Sequence, residues 1–289
     1  MLCSRFGFSK CVRLCFCLPC FLFSAFWYGM MCECKVFVDT HAHLQWGSFD
    51  GDRENVLVRA KEKGVFRIVN IGFDVAGSVK GIELAEKHEG LFATIGVHPH
   101  NAGTLNEKTV DTLRELSTNS KVVGIGEIGL DYYRNLSPKS VQRKAFEIQL
   151  ALAEELKLPV IIHDREAHDD VLQALLGFKG KIKGVMHCFS GSKELAQRCI
   201  DLGFFISFAG NVTYSKAYGL QEIAEWIDLK KLLLETDCPF LAPQEMRGKR
   251  NEPSFLPLIA KKIADLKRMS MDDLAEATTN NAEEILKLH

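Results

Sequence analysis

The sequence predicts an α/β fold, a (β/α)8 TIM barrel that begins at Lys35 and runs to the end of the chain. Three observations carry the prediction. Eight short apolar runs of β-forming residues recur along the chain, segments with helical spacing of apolar residues lie between them, and no Pro/Gly/Ser-rich linker or low-complexity tract interrupts the series. Runs spaced by about 20 to 40 residues match a strand-helix unit, and alternating units give a parallel sheet with right-handed crossovers.

The first two runs are Lys35–Asp39 and Arg67–Ile71, with helical patterns at Arg53–Lys63 and Ala76–His88. Phe92–Ile95 and Val122–Gly126 follow, and then Val141–Lys157, where Phe146, Leu150, Ala153 and Leu156 share a face. The later runs are Pro159–His163, Gly184–His187, Phe204–Phe208 and Leu232–Glu235, with helical spacing at Lys193–Leu202 and Phe255–Lys267. Asp272–Leu288 reads as a closing helix. Residues 35–289 are therefore expected to form one domain.

Composition narrows the function classes. The 289 residues are 47% hydrophobic and 25% charged, enough apolar material for a core and too long for a disulfide-stapled miniprotein. A formal net charge of −1 gives no whole-molecule field toward nucleic acid or an anionic membrane. Affinity for phosphate must then come from a local cluster.

Residues 1–34 are different material, an atypical extension holding seven of the ten cysteines and six of the nineteen phenylalanines. Three readings stand side by side. Basic Arg5, Lys10 and Arg13 before the uncharged run Leu14–Cys32 resemble a signal peptide without a cleavage site. The same run is borderline for a membrane anchor, which needs roughly 20 apolar residues. Alternatively, translation starts at Met30 or Met31. Cys188, Cys199 and Cys238 are odd in number and widely spaced, which suits a reducing cytosol, so a cytoplasmic protein without stable membrane association is expected.

The strand ends carry the chemistry. In a barrel of this kind they converge on one mouth. His41 and His43 follow the first run, Glu127 the fourth, His163 and His187 close the fifth and sixth, and Asp237 follows the eighth. Spaced i,i+2, His41 and His43 point the same way on an extended strand, as two bonds to one ion require. A carboxylate such as Glu127 can bridge two ions roughly 3.5–4 Å apart. Each residue alone has a plainer explanation, as a capping histidine or a loop carboxylate. Ligand chemistry at five separate strand ends has none. Nitrogen and oxygen donors suit Mg, Mn or Zn. Asp237 is the candidate proton acceptor, beside its role as ligand.

The motifs DTHAHL (Asp39–Leu44), IGVHPH (Ile95–His100), GEIGLDYY (Gly126–Tyr133), PVIIHDREA (Pro159–Ala167), HCFSG (His187–Gly191), ETDCPFLAP (Glu235–Pro243) and RGKRNEP (Arg247–Pro253) resemble, in order, those of the TatD family of metal-dependent hydrolases and deoxyribonucleases. The likeness covers nearly all of the barrel and nothing before Lys35. It implies one ion held by His41, His43 and Asp237, and a second held by His163 and His187 with Glu127 bridging. Glutamate at the fourth strand, rather than the bridging lysine of some related amidohydrolases, favours work on phosphoesters.

Contacts to substrate are expected from Arg247, Lys249, Arg250 and Asn251, which follow the eighth strand where barrels place phosphate-binding loops. His98 and His100 are candidates for orienting substrate or water, and Tyr132, Tyr133 and Phe189 for stacking on an unpaired base. The expected activity is cleavage of nucleic-acid phosphodiesters, on single strands or ends, because one short basic loop cannot supply a duplex footprint. The alternatives are an amidohydrolase or D-aminoacyl-tRNA deacylase acting on a C–N or ester bond, and a non-catalytic metal-binding barrel.

Overall fold

The computed structural model describes residues 36–288, so the readings of residues 1–34 fall outside the described part. Eight parallel strands pair in sequence order: β1 (Phe37–Ala42), β2 (Val65–Asn70), β3 (Leu91–Ile95), β4 (Val122–Asp131), β5 (Val160–Arg165), β6 (Gly184–Met186), β7 (Phe204–Phe208) and β8 (Leu232–Leu234). The first and last strands meet through His43 N–H to Cys238 O and Asp237 N–H to His41 O, both 2.8 Å, which joins the sheet into a barrel.

Helices α1 (Arg53–Glu62), α2 (Val75–Lys87), α4 (Lys139–Leu156), α6 (Lys193–Asp201) and α8 (Leu256–Lys267) fall within a few residues of the sequence expectations. Their starts follow from local chemistry: the Asp74 and Ser192 side chains accept from Gly77 N–H and Leu195 N–H, satisfying donors that a first turn leaves open. Three helices not singled out from spacing complete the ring, α3 (Glu107–Leu116), α5 (His168–Gly177) and α7 (Tyr218–Trp226). Among the described residues no helix is long and apolar enough to cross a membrane.

Alternation along the strands divides the interior into two layers. Phe37, Ile68, Leu91, Val160, Met186, Phe204 and Leu232 face the helices. Val38, Val69, Phe92, Val123, Ile161, Val185, Phe205 and Leu233 fill the barrel itself, so it is packed rather than open. The closing helix α9 (Met271–Leu286) adds Ala282, Ile285 and Leu286 to this inner layer. It is tied to the strand starts by Thr279 Oγ1 to Val36 O and Asn281 Nδ2 to Leu232 O, both 2.8 Å. One end of the barrel is thereby plugged with apolar side chains. The buried histidines and most of the buried carboxylates gather at the other.

Candidate metal centre

Two strands slip register where the site begins. Four residues of β1, Asp39 to Ala42, span three of β2, Ile68 to Asn70, and four of β4, Ile125 to Ile128, span three of β5, Val160 to Ile162. Such a slip re-aims a side chain that regular pleating would send elsewhere. His41 and Glu127 sit in these two slips. Gly129 lets β4 and β5 approach closely: its φ is +139°, and a Cβ there would lie 2.0 Å from His163 O. β4 also extends to Asp131, five residues beyond the expected end, and the buried Gln142 of α4 holds that end through Asp131 N–H (2.8 Å) and Asp131 O (3.1 Å).

Glu127 is the hub. Its Oε2 lies 3.5 Å from His41 Nε2 and 3.6 Å from His43 Nε2. Its Oε1 lies 2.7 Å from His163 Nδ1, 3.1 Å from His187 Nε2 and 3.5 Å from His98 Nε2. Asp237 Oδ1 stands 3.7 Å from His41 Nε2 and 3.5 Å from His43 Nε2. All six residues expected as ligands therefore meet in one buried cluster, with His98 joining them.

Three overlapping groups could each hold an ion: His41, His43 and Asp237; His41, Glu127 and His187; and His98, Glu127 and His163. The donor geometry fits. His41 Nε2 and His43 Nε2 are 3.2 Å apart. Two nitrogens each about 2.1 Å from one ion and roughly 100° apart would be separated by about the same distance. His41 is fully buried, and its Nδ1 has no protein partner, so every polar neighbour it has is at Nε2. On His43, Nδ1 faces Ile71 O at 3.2 Å, a contact that places the proton there and frees Nε2 to coordinate.

Supporting carboxylates, not expected from the sequence, surround the donors. Glu235 Oε1 accepts from His187 Nδ1 at 2.9 Å and from Cys188 N–H at 2.8 Å. Asp131 Oδ2 is 3.3 Å from His163 Nε2 and 2.8 Å from His100 Nε2. Asp39 accepts from Thr236 N–H at 2.9 Å and Thr236 Oγ1 at 2.5 Å, bracing the segment that carries Asp237. The signal for two of them was available: Asp131 is at i+4 from Glu127 on an extended run, and Glu235 at i−2 from Asp237.

Electrostatics follow from burial and neighbours. Burial pushes the His41 imidazole down, with His187 adding to the effect, so His41 is neutral and ready to coordinate. Burial works against the charged form of His187, yet Glu235 and Glu127 hold its pKa well above the ordinary value. Burial also opposes ionisation of Glu127, but the field of His98 and His187 and bonds from His163 and His187 keep it well below the usual carboxylate range. Asp237 follows the same pattern: burial raises it, while the bond to His43 and the surrounding histidines bring it below the ordinary value. Burial raises Asp39 to about 7 against the bonds from Thr236.

The expected substrate contacts divide. Arg247 is exposed, with its guanidinium 4.7 Å from the centre of the Tyr214 ring. Lys249 is exposed as well. Arg250 is bidentate to Asp52, at 2.8 Å on both oxygens, and also donates to Ser48 O. Asn251 is fully buried, donating to Thr236 O (2.7 Å) and Phe240 O (2.6 Å). Its amide shapes the loop after β8 and does not face solvent. His98 and His100 are turned into the cluster, on Glu127 and Asp131. Of the aromatic trio, Phe189 is core, Tyr132 bonds Asp170 through its hydroxyl, and Tyr133 is exposed under the Arg165 guanidinium.

Comparisons with known proteins identify the family. Residues 38–287 match the family described as TatD related DNase. The chain is 44% identical over 252 residues to the uncharacterized metal-dependent hydrolase YabD of Bacillus subtilis, covering 87% of this chain and 99% of that protein. It is 38% identical over 257 residues to the 3'-5' ssDNA/RNA exonuclease TatD of Pantoea ananatis, covering 86% and 99%. The crystal structure of YJJV, a TatD homologue from Escherichia coli, superposes with a TM-score of 0.83 at 32% identity, covering 88% of this chain and 98% of that one. A barrel with these donors at its mouth, and a match over nearly its whole length, make this chain a member of the TatD family of metal-dependent hydrolases.

Proposed function

We propose that the chain hydrolyses phosphodiester bonds in single-stranded nucleic acid, working from an end and using two divalent ions, Mg, Mn or Zn. One observation carries the reading: the two oxygens of Glu127 face different nitrogen sets, Oε2 toward His41 and His43, Oε1 toward His163, His187 and His98. His41, His43 and Asp237 would hold one ion, His163 and His187 the other, with Glu127 between them. Such a pair, when bound, supplies an acidified water and neutralises the phosphoryl oxygens, the two things an inert phosphodiester lacks.

The protein's own groups do the rest. Asp237, held ionised by its histidine neighbours, is placed to accept the proton of the attacking water at Oδ1. Glu235 and Asp131 fix the imidazoles of His187 and His163, so donors do not need to reorganise as the phosphate arrives. Arg247 has no carboxylate partner among the described residues and is the guanidinium available for phosphate, whereas Arg250 is already spent on Asp52. A net charge of −1 and one short basic loop after β8 suit single strands rather than a long duplex footprint. Free Cys188, Cys199 and Cys238 fit a cytoplasmic setting.

The test is metal analysis of the purified protein together with a substrate panel: end-labelled single-stranded DNA and RNA, duplex DNA, aminoacyl-tRNA and a cyclic amide. Metal-dependent shortening of the single strands from one end is the expected outcome. Turnover of the carbonyl substrates alone would transfer the same centre to amide or ester hydrolysis and overturn the nuclease reading.

A further inference from the structure

Beside the donor cluster the rim is aromatic. Trp46 is 39% exposed and Phe240 43% exposed, large apolar surfaces left in solvent at the mouth. Their rings meet edge to face at 5.2 Å, and Phe73 lies 5.6 Å from Trp46. The same wall touches the metal centre: the His43 ring is 5.9 Å from Phe73 and 6.1 Å from Phe240. Three chain segments far apart in sequence, after β1, β2 and β8, supply one continuous surface. Exposed apolar patches bounded by polar groups mark ligand surfaces more often than idle ones.

Next to this wall is a cleft of about 340 Å³ lined by Gln45, Trp46, Phe73, Gly77 and Lys80, among others. That is near the lower end of roughly 300–1,000 Å³ for small-molecule sites, a size that suits one nucleotide and not a folded partner. Gln45 is only 7% exposed; its Nε2 donates to Ile71 O at 2.6 Å, which assigns the amide, and its Oε1 has no partner. Oε1 itself is buried, so Gln45 is a fixed part of the cleft wall and not an acceptor open to it. The acidic group on the lining, Asp74, is already engaged by Gly77 N–H at 2.6 Å. Lys80 has no ion pair among the described residues.

We propose that this cleft is a base subsite, in which an unpaired nucleobase stacks on the Trp46–Phe73–Phe240 wall while its phosphate reaches the donor cluster. The inference rests on the nucleic-acid reading above and deepens it. Every nucleobase has a π-face, so an aromatic wall binds without strict sequence preference. Lys80, on the cleft lining, is the cation for the neighbouring phosphate. The wall accepts only a base that has left its duplex, which ties preference for single strands to three named side chains.

The experiment uses the full chain with Mn²⁺, Trp46→Ala, Trp46→Phe and Phe240→Ala, and two labelled strands: oligodeoxyadenylate, and the same oligonucleotide with abasic terminal nucleotides at both ends. Thermal melts confirm that each variant folds. On the normal strand Trp46→Ala is expected to raise KM roughly 5- to 150-fold, with kcat little changed and Trp46→Phe recovering most of the loss. The wild type should lose a similar factor on the abasic strand, and Trp46→Ala should no longer distinguish the two strands. Unchanged KM in both alanine variants, or equal cleavage of the two strands by the wild type, overturns the subsite and leaves the nuclease reading standing. If the wild type cleaves neither strand, fluorescence anisotropy decides. Binding that needs both the base and Trp46 supports the subsite while the hydrolytic reading falls, and base-independent or absent binding overturns the subsite as well.

Discussion

Two charged clusters sit at the mouth of this barrel, and their difference separates chemistry from architecture. At the rim, Arg59 grips Glu252 through Nε (2.8 Å) and Nη2 (2.6 Å), Arg250 grips Asp52 at 2.8 Å on both oxygens, and Arg59 also reaches Asp52 at 3.2 Å. Two guanidinium groups meet two carboxylates, and every partner is satisfied. At the centre, five imidazoles stand within 3.6 Å of the one carboxylate of Glu127, and two ring nitrogens face each other at 3.2 Å. No pairing of protons within the protein uses such a surplus of nitrogen donors around one point. The rim is complete by itself, whereas the centre leaves donors over, as a group that could hold a metal ion would.

The sharpest way to break that contrast is Glu127→Gln, which keeps the shape and removes one coordinating charge. Hydrolysis is expected to fall by roughly a thousandfold or more, while circular dichroism and the thermal midpoint of the metal-free protein stay close to wild type. A large stability loss with activity in proportion would mean that the centre, like the rim, serves the fold.

A smaller effect is expected one step out, at Glu235→Gln. With a neutral amide holding His187 Nδ1, metal affinity should fall about 10- to 100-fold, and raising the metal concentration should recover most of the rate. Titration of activity against Mn²⁺ checks this. Loss of kcat at saturating metal would show that Glu235 acts in the reaction itself and does not position His187.

The smallest effect belongs to the rim. Arg250 hydrogen bonding and, next, Arg59 bring the Asp52 carboxyl to about 2 from an ordinary 3.8. A carboxyl whose folded value is depressed stabilises the fold fully above its unfolded value and loses that contribution as pH falls through the folded one. Asp52→Asn should therefore cost about 1 kcal/mol or less near pH 7, since the pair is partly exposed. The deficit should shrink as pH falls below about 4 and close near 2. Urea melts across that range measure it. A fall in kcat/KM beyond the stability change would return Arg250 to the substrate.

Much of the fold was legible because it is written locally. Alternating apolar runs and helical spacing locate all eight strands and most helices; α3, with Val110, Leu113 and Leu116 on one side, carries the same kind of signal as α6. The donors were legible as residue types at strand ends. As a sequence, the loop with Arg250 and Asn251 suggests phosphate binding, but their partners, Ser48 and Asp52 for one, Thr236 and Phe240 for the other, come from other segments or from the loop's own turn. No local pattern announces such pairings.

The sequence alone determined which chemistry was possible: imidazoles and carboxylates at the ends of successive β-runs, and an unbroken series of strand-helix units. Tertiary structure decided what those groups became. Register slips in β1 and β4 aimed His41 and Glu127 inward, and Gly129 let β5 bring His163 alongside. Ring closure set Asp237 against His41 and His43 and joined Trp46, Phe73 and Phe240 into one wall. Spacing along a chain fixes which side chains share a face, but convergence on a point depends on how strands nearly two hundred residues apart are stacked, and that is settled only when the sheet closes.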